Sequence, residues 1–274
     1  MKAALILAIA LTAAPAGAGY EPLIFEGRVE AALQGELASR LDGVVAEILF
    51  SAGDAVEPGQ PMLRLDPADA ELALAVADAQ LALARAELEG AAAEAARQEQ
   101  LFTRGISPDA VVVPARTAKA AAEAALALAE AERAQALLAL ERTTIRAPIS
   151  GVAGPPATAI GAYLEAEAGP PLARIVALDP VIIAYRVPYA TRLASMAESG
   201  APRLEDLFAR IEIEILLPGG QIYPEIARPD HASALVDPAD GSVTVRAIVS
   251  NPSLVLRPGM AVTIRSTILP EGAP

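Results

Sequence analysis

Arg40-Leu41-Asp42-Gly43-Val44-Val45, then Ala52-Gly53-Asp54-Ala55-Val56, then Gly59-Gln60-Pro61-Met62-Leu63-Arg64-Leu65 form a short pattern that the chain writes a second time. The later copy is Ala147-Pro148-Ile149-Ser150-Gly151-Val152, then Ile160-Gly161-Ala162-Tyr163-Leu164, then Gly169-Pro170-Pro171-Leu172-Ala173-Arg174-Ile175. Gly43 to Gly53 and Gly151 to Gly161 have the same spacing, as do Gly59 to Leu65 and Gly169 to Ile175; two residues are added between the last two blocks of the later copy. Glycines at matched offsets mark matched tight turns, where a residue without Cβ tolerates the backbone angle. A lone hairpin is marginal in water, so the two half-motifs must pair in space to bury their alternating Val, Leu and Ile faces. Everything between them is then pushed out as one long excursion. That geometry describes a spacer rather than an enzyme.

The excursion changes composition. From Pro67 to Arg142 it is Ala, Leu, Glu, Gln and Arg, all strong helix formers. Asp66-Pro67 is a start signal, and Asp66, Asp69 and Glu71 suit the positive end of a helix. Leu74, Leu81, Leu88, Ala95 and Phe102 recur at seven-residue steps, with Ala77, Ala84 and Ala91 between them, which predicts a coiled-coil seam with one small side. The pattern breaks at Thr103-Arg104-Gly105-Ile106-Ser107-Pro108 and resumes from Asp109 or Val111 to Arg142, with Ala121, Ala124, Leu128, Ala131 and Leu138 facing one way. Two helices joined by a short break read as an antiparallel α-hairpin, about 34 helical residues and roughly 50 Å long. The alternative is a low-complexity alanine-rich helix without a partner. Gly90 predicts a local irregularity, at a cost of about 1 kcal/mol.

Beyond Asp179-Pro180 the runs are short and β-branched: Val181 to Val187, Ile211 to Leu216, Val243 to Val249 and Val262 to Thr267. Pro218-Gly219-Gly220, Asp237-Pro238-Ala239-Asp240-Gly241 and Arg257-Pro258-Gly259 separate them as turns. These predict a small antiparallel barrel, with a short helix near Tyr189 to Met196 and with Leu23 to Leu37 as an added strand segment.

The chain has 274 residues, 34 acidic against 21 basic, and a formal charge of −13. An acidic surface repels phosphate backbones and anionic headgroups, so nucleic acid is not an expected partner. Cysteine is absent, which excludes disulfides, thiolate metal sites, cysteine nucleophiles and a lipid-modified cysteine. Residues 1–18 read as a secretory signal: Lys2, an apolar run of about a dozen residues against the roughly 20 that span a bilayer, then the small-residue sites Ala14-Pro15-Ala16 and Ala16-Gly17-Ala18. The alternative is an uncleaved, marginal anchor. A cleaved signal without lipidation implies a periplasmic protein.

No catalytic constellation is legible. His231 is the sole histidine, beside Asp230 in a proline-rich connection, and reads as a loop residue rather than a metal ligand. Glu212 and Glu214 share one strand face and should meet water. No cofactor or metal is expected. The half-motifs are of the biotinyl/lipoyl type of β-sandwich, whose carriers bear a lysine on the turn joining their halves. Here Leu65-Asp66-Pro67 leads straight into helix, and the only lysines are Lys2 and Lys119, so the covalent-carrier alternative lacks its amine.

In order, these pieces resemble the periplasmic adaptors, or membrane-fusion proteins, of tripartite resistance-nodulation-division (RND) efflux pumps. Gly43-Val44-Val45 through Leu65-Asp66-Pro67, Thr144-Ile145-Arg146-Ala147-Pro148-Ile149-Ser150-Gly151, Leu178-Asp179-Pro180-Val181 and the run Val236 to Ala247 carry the likeness, with Asn251-Pro252 and Leu256-Arg257-Pro258-Gly259-Met260 closing it. The resemblance implies mixed α and β architecture in a fixed order. After the signal comes an N-terminal strand segment joining the barrel (19–37), a first lipoyl-like half-motif (38–66) and an α-hairpin (67–143). A second half-motif (144–179), the barrel (180–268) and a tail (269–274) follow, with the family's membrane-proximal domain expected to be lacking. It also implies a non-catalytic coupler between an inner-membrane transporter and an outer-membrane channel, assembling as a ring with hairpin tips toward the channel and with helix–sheet junctions near Asp66 to Pro67 and Arg142 to Ile145 as hinges. Family residues for channel contact correspond to Arg97, Leu101 and Ser107, the last step being one residue shorter than the usual seven. An adaptor of an ATP-driven exporter or of a secretion system is the alternative within the family.

Overall fold

The computed structural model describes residues 21–166 and 169–270. The expected signal over 1–18 lies outside the described residues. The elements run β1 (Leu23–Ala31), β2 (Gln34–Leu37), β3 (Gly43–Ile48), β4 (Ala55–Val56), β5 (Pro61–Leu65), α1 (Ala68–Thr103) and α2 (Asp109–Arg142). They continue with β6 (Thr144–Arg146), β7 (Gly151–Ala153), β8 (Tyr163–Leu164), β9 (Ala173–Val176), β10 (Val181–Pro188), α3 (Tyr189–Ser199) and α4 (Leu204–Phe208). The last strands are β11 (Ile211–Leu216), β12 (Pro229–Ala232), β13 (Ser242–Val249) and β14 (Ala261–Ile268). Two compact units result: among the described residues, one holds 21–32 and 178–270, the other lies within Leu33–Ala177.

In the Leu33–Ala177 unit two four-stranded sheets, β2-β9-β7-β4 and β6-β5-β3-β8, each take strands from both half-motifs. The halves are related strand for strand. β3 pairs β8 through Gly43 with Leu164 and Val44 with Tyr163, and β7 pairs β4 through Gly151 with Val56 and Val152 with Ala55. The turns repeat the relation. Gly53 N–H donates to Ala153 C=O as Gly161 N–H donates to Val45 C=O, at 2.8 Å in both cases. Leu37, Met62, Leu63, Leu65 and Ile175 are the large side chains fully enclosed between the sheets. Both sheets bury one face, which is what forces the halves to interlock.

The sequence expectation that 19–37 joins the barrel as one segment is corrected here. Leu23–Ala31 does pair with barrel strands, whereas Gln34–Leu37 pairs β9 and sends Leu37 into the sandwich core. Of the six half-motif glycines, four have positive φ: Gly53, Gly59 and Gly161 at 93°, 82° and 84°, and Gly151 at 158°. Gly151 is needed above all for its neighbour: a Cβ there would sit 2.5 Å from the Val176 carbonyl oxygen. Gly43, at the start of β3, satisfies neither condition, so the expectation that every matched glycine marks a tight turn fails there.

In the other unit a six-stranded antiparallel sheet runs β11-β14-β1-β10-β13-β12. The chain after β11 folds back on it, Ile213 bridging Ala227 and Leu216 bridging Ile222, before entering β12. The two edges are thereby joined by one continuous segment, which leaves the sheet no open edge there. Val29, Ile183, Ile213, Ile215, Leu256 and Ile264 fill the inside. Burial beside Phe25 pushes the Tyr185 hydroxyl far above the ordinary phenol range. Asn251 is enclosed and fully used: its amide donates to the carbonyls of Leu178 and Leu256, and its oxygen accepts from Leu256 N–H and the Tyr223 hydroxyl. His231, expected in a loop, lies on strand β12 opposite Arg246. Glu212 and Glu214 lie on the half-exposed face, paired with Arg228 and Arg265.

Candidate functional site

Both ends of the helical arm enter the same sheet. β5 leads through Asp66-Pro67 into α1, where the Asp66 carboxylate accepts the Ala68 N–H at 3.0 Å. α2 leads through Thr143 into β6, and Arg64 of β5 stands opposite Thr144 of β6. The arm is therefore rooted in paired strands.

Along it, Ala77, Leu81, Ala84 and Ala95 of α1 are buried, with Leu74, Leu88 and Ala91 half-buried. Phe102, expected to end that seam, is 45% exposed, and Leu101 is the half-buried residue there. The facing stripe of α2 also differs from expectation. Ala121, Ala124, Leu128, Ala131 and Leu138 are all exposed. The side that meets α1 is Val112, Ala115, Lys119, Ala122, Leu126, Ala129, Arg133, Ala136 and Leu140, buried or half-buried without exception. Alanines at seven-residue steps let the backbones come close, while Lys119 and Arg133 lay their stems along the seam. The guanidinium of Arg133 then reaches Asp78, and Arg116 reaches Glu99 at 2.8 Å. Helix α1 runs unbroken through Gly90, so the expected irregularity is absent.

At the tip the chain reverses by a Schellman closure. Gly105, with φ of 73°, donates to Phe102 C=O, and Ile106 N–H donates to Leu101 C=O at 2.9 Å. The three residues expected at this end differ in circumstance. Arg97 is exposed and ion-paired with Glu94, whose carboxyl is held below its usual range by the Gln98 amide and then by Arg97. Leu101 is half-buried, and its carbonyl anchors the turn. Ser107 is half-buried, its hydroxyl donating to Gln98 at 3.2 Å. Phe102, Ile106, Val111 and Val113 form exposed apolar surface at the same end. Sequence reading missed the last three as surface. The signal available was the triplet Val111-Val112-Val113 in an otherwise alanine-rich helix, of which only Val112 can face the partner helix.

Among the described residues no three His, Cys, Asp or Glu side chains gather as a metal site, and no helix is long and apolar enough to cross a membrane. An open trough of about 990 Å³ on the barrel unit is lined by Phe25, Glu26, Arg28, Tyr185 and Arg186, among others, without a nucleophile–base pair.

A sandwich of interlocked halves carrying a two-helix arm, with a small closed barrel, defines the class of the membrane-fusion proteins. Residues 34–176, more than half of the chain, match the family model described as RND MFP, barrel-sandwich hybrid domain. The chain belongs to that family. It is 32% identical over 238 residues to the membrane fusion protein MtrC of Neisseria gonorrhoeae, covering 87% of this chain and 58% of that one. To the multidrug resistance protein MdtE of Escherichia coli K12 it is 28% identical over 228 residues, covering 83% and 59%. In fold it is similar to a MacA–MexA chimera containing the Pseudomonas aeruginosa MexA α-hairpin, with a TM-score of 0.65 at 20% identity over 90% of this chain and 79% of that one. The chain spans about three fifths of the length of the curated relatives it matches.

Proposed function

We propose that this protein is a periplasmic adaptor, exported by a cleavable signal, that links an inner-membrane efflux transporter to an outer-membrane channel. It couples the two without catalysing a reaction, acts in the export of small molecules, and works as a ring of copies. The observation that carries this reading is the double rooting of the arm. Because α1 and α2 both continue into paired strands of one sheet, a force on the sandwich is passed to the tip roughly 50 Å away. Such a lever suits a coupler, whereas an enzyme needs convergent polar groups in a pocket. Membership of the RND membrane-fusion family and the names of the relatives, which speak of multidrug resistance, support the same reading. Arg97 and the exposed Phe102 near the tip supply a guanidinium and an aromatic ring, residue types enriched in protein interfaces. Repeated weak contacts around a ring then add through effective concentration.

The test is genetic and biochemical. Deleting the gene in its native host should raise drug sensitivity, restored by the intact protein but not by a chain in which Arg97, Leu101 and Ser107 are replaced together by Asp. Affinity capture of the intact protein should recover a transporter and an outer-membrane channel. Unchanged sensitivity together with empty capture would overturn the reading. Recovery of an ATP-driven transporter in place of a proton-driven one would reassign the transporter class.

A further inference from the structure

In the Leu33–Ala177 unit β2 ends one sheet and β6 ends the other, each paired on one side only. Between these two edges lies a groove of about 520 Å³. Ala38 and Arg40 just past β2, Thr144 and Arg146 of β6, and Leu138 and Arg142 at the foot of α2 border it. Past β6 the chain folds over β2, since a Cβ at Gly35 would stand 3.0 Å from the Pro148 ring and 3.1 Å from the Ile149 side chain. The groove is thus walled by both sheets and by the end of the arm.

Its charge is opposite to that of the chain. Acids outnumber bases 34 to 21, yet Arg40, Arg142 and Arg146 all line this groove and make no ion pair among the described residues. The Arg146 guanidinium donates to Gly59 C=O at 2.9 Å, which leaves most of its five donors free. Of the carboxylates in the groove, Glu36 accepts from Arg174 at 3.1 Å, and Glu141 has no ion pair among the described residues. Three guanidiniums therefore stand against one free carboxylate. Nor is Arg142 needed to cap α2. The Leu140 carbonyl accepts the N–H and hydroxyl of Thr143, and the Thr143 carbonyl accepts the Leu65 N–H.

Like charges gathered in one groove repel, and an oxyanion among them removes that repulsion while matching the donor fork of each guanidinium. From this arrangement we infer that the groove binds a small amphiphilic oxyanion, its head among Arg40, Arg142 and Arg146 and its apolar body along Leu138 and Ala38. Leu138 is 43% exposed, so apolar surface is open beside the charges. A bare phosphate ion would fill only a small part of the space, whereas its volume lies in the range of drug-sized ligands. An occupant touches β2, β6 and α2 at once and so stiffens the root of the arm. The inference goes beyond the coupling role and does not depend on what the tip contacts.

Isothermal titration calorimetry of the full chain tests this, with octyl phosphate below its micelle concentration as the probe. One molecule should bind per chain, at least tenfold more tightly than uncharged octyl glucoside or inorganic phosphate. Arg40→Gln with Arg142→Gln should weaken octyl phosphate at least tenfold, whereas Arg257→Gln, at an exposed arginine of the barrel unit, should leave its affinity unchanged. Glu141→Gln removes the carboxylate that opposes the head and should tighten binding, by about two- to fivefold. Leu138→Ser should bring octyl phosphate down toward inorganic phosphate. Circular dichroism of each variant checks that the helices are intact, and the gain expected of Glu141→Gln cannot arise from misfolding. Phosphatidylglycerol vesicles should not retain the protein, since its acidic surface is repelled by theirs. Equal binding of octyl glucoside, unchanged affinity in the double arginine variant, or capture by vesicles without binding of the free ester would overturn the site.

Discussion

At the residue scale the sandwich is held by a reciprocal pair of backbone contacts, and its glycines divide by cause. Gly53 and Gly161 take a left-handed φ, so any side chain there would be strained. Gly151 is required by a neighbour, since its Cβ would stand 2.5 Å from Val176 O and 2.7 Å from Val176 C, both backbone atoms that cannot rotate away. Gly43 is different again: its Cβ would touch Leu65 at 3.4 Å, an ordinary contact. Gly151→Ala should therefore destabilise the protein by about 1–3 kcal/mol through overpacking, while Gly43→Ala should stay within about 0.5 kcal/mol of the parent. Urea titration followed by circular dichroism measures both. Equal effects would refute the distinction. Sequence spacing finds all six positions because it registers where glycine recurs, but a φ angle and a close backbone approach leave the same letter.

At the scale of elements, helix boundaries were legible and helix orientation was only half so. Asp66-Pro67, the Gly105 break and Pro108 are local signals, and the helices observed, Ala68–Thr103 and Asp109–Arg142, begin and end beside them. Orientation needs one stripe to be more apolar than the rest. In α1 the leucines at 74, 81 and 88 supply that contrast. In α2 alanine occupies nearly every direction, and the true inner seam contains Lys119 and Arg133, which a hydrophobicity rule rejects. Only the partner carboxylate of Asp78 makes sense of Arg133 there. The Val triplet gives a sharp check of the observed orientation. Val112 is 1% exposed and Val113 is 52% exposed. Val112→Asp buries an unpaired carboxylate and should cost about 3 kcal/mol or more, opening the distal third of the arm. Val113→Asp should change stability by less than about 0.5 kcal/mol. Hydrogen exchange over residues 95–125 should accelerate in the first variant only. Acceleration in the second would mean that α2 is turned the other way.

At the scale of the whole chain, one unit is an insertion in the other. The order of pieces was readable because each announces itself by composition, but the strand segment at 19–37 was not, since nothing in its letters says that it changes partners between Ala31 and Gln34. The physical divide is the core each stretch enters: Val29 is fully enclosed in the barrel, Leu37 in the sandwich. The inserted unit closes at its base, where Ala177 N–H donates to Leu33 C=O at 3.0 Å, so its two ends leave side by side. Ends that close require little loop entropy to join, roughly 0.6 kcal/mol for each doubling of loop length. Replacing 33–177 by a four-residue Gly-Ser linker should therefore leave a barrel that unfolds cooperatively, and the isolated 33–177 fragment should fold with the helix content of its arm. The intact chain should then show two calorimetric transitions, each within about 5 °C of that of the corresponding fragment, as independent units require. A barrel fragment that binds a hydrophobic dye and lacks a cooperative transition would show instead that its strands depend on the inserted unit for their order.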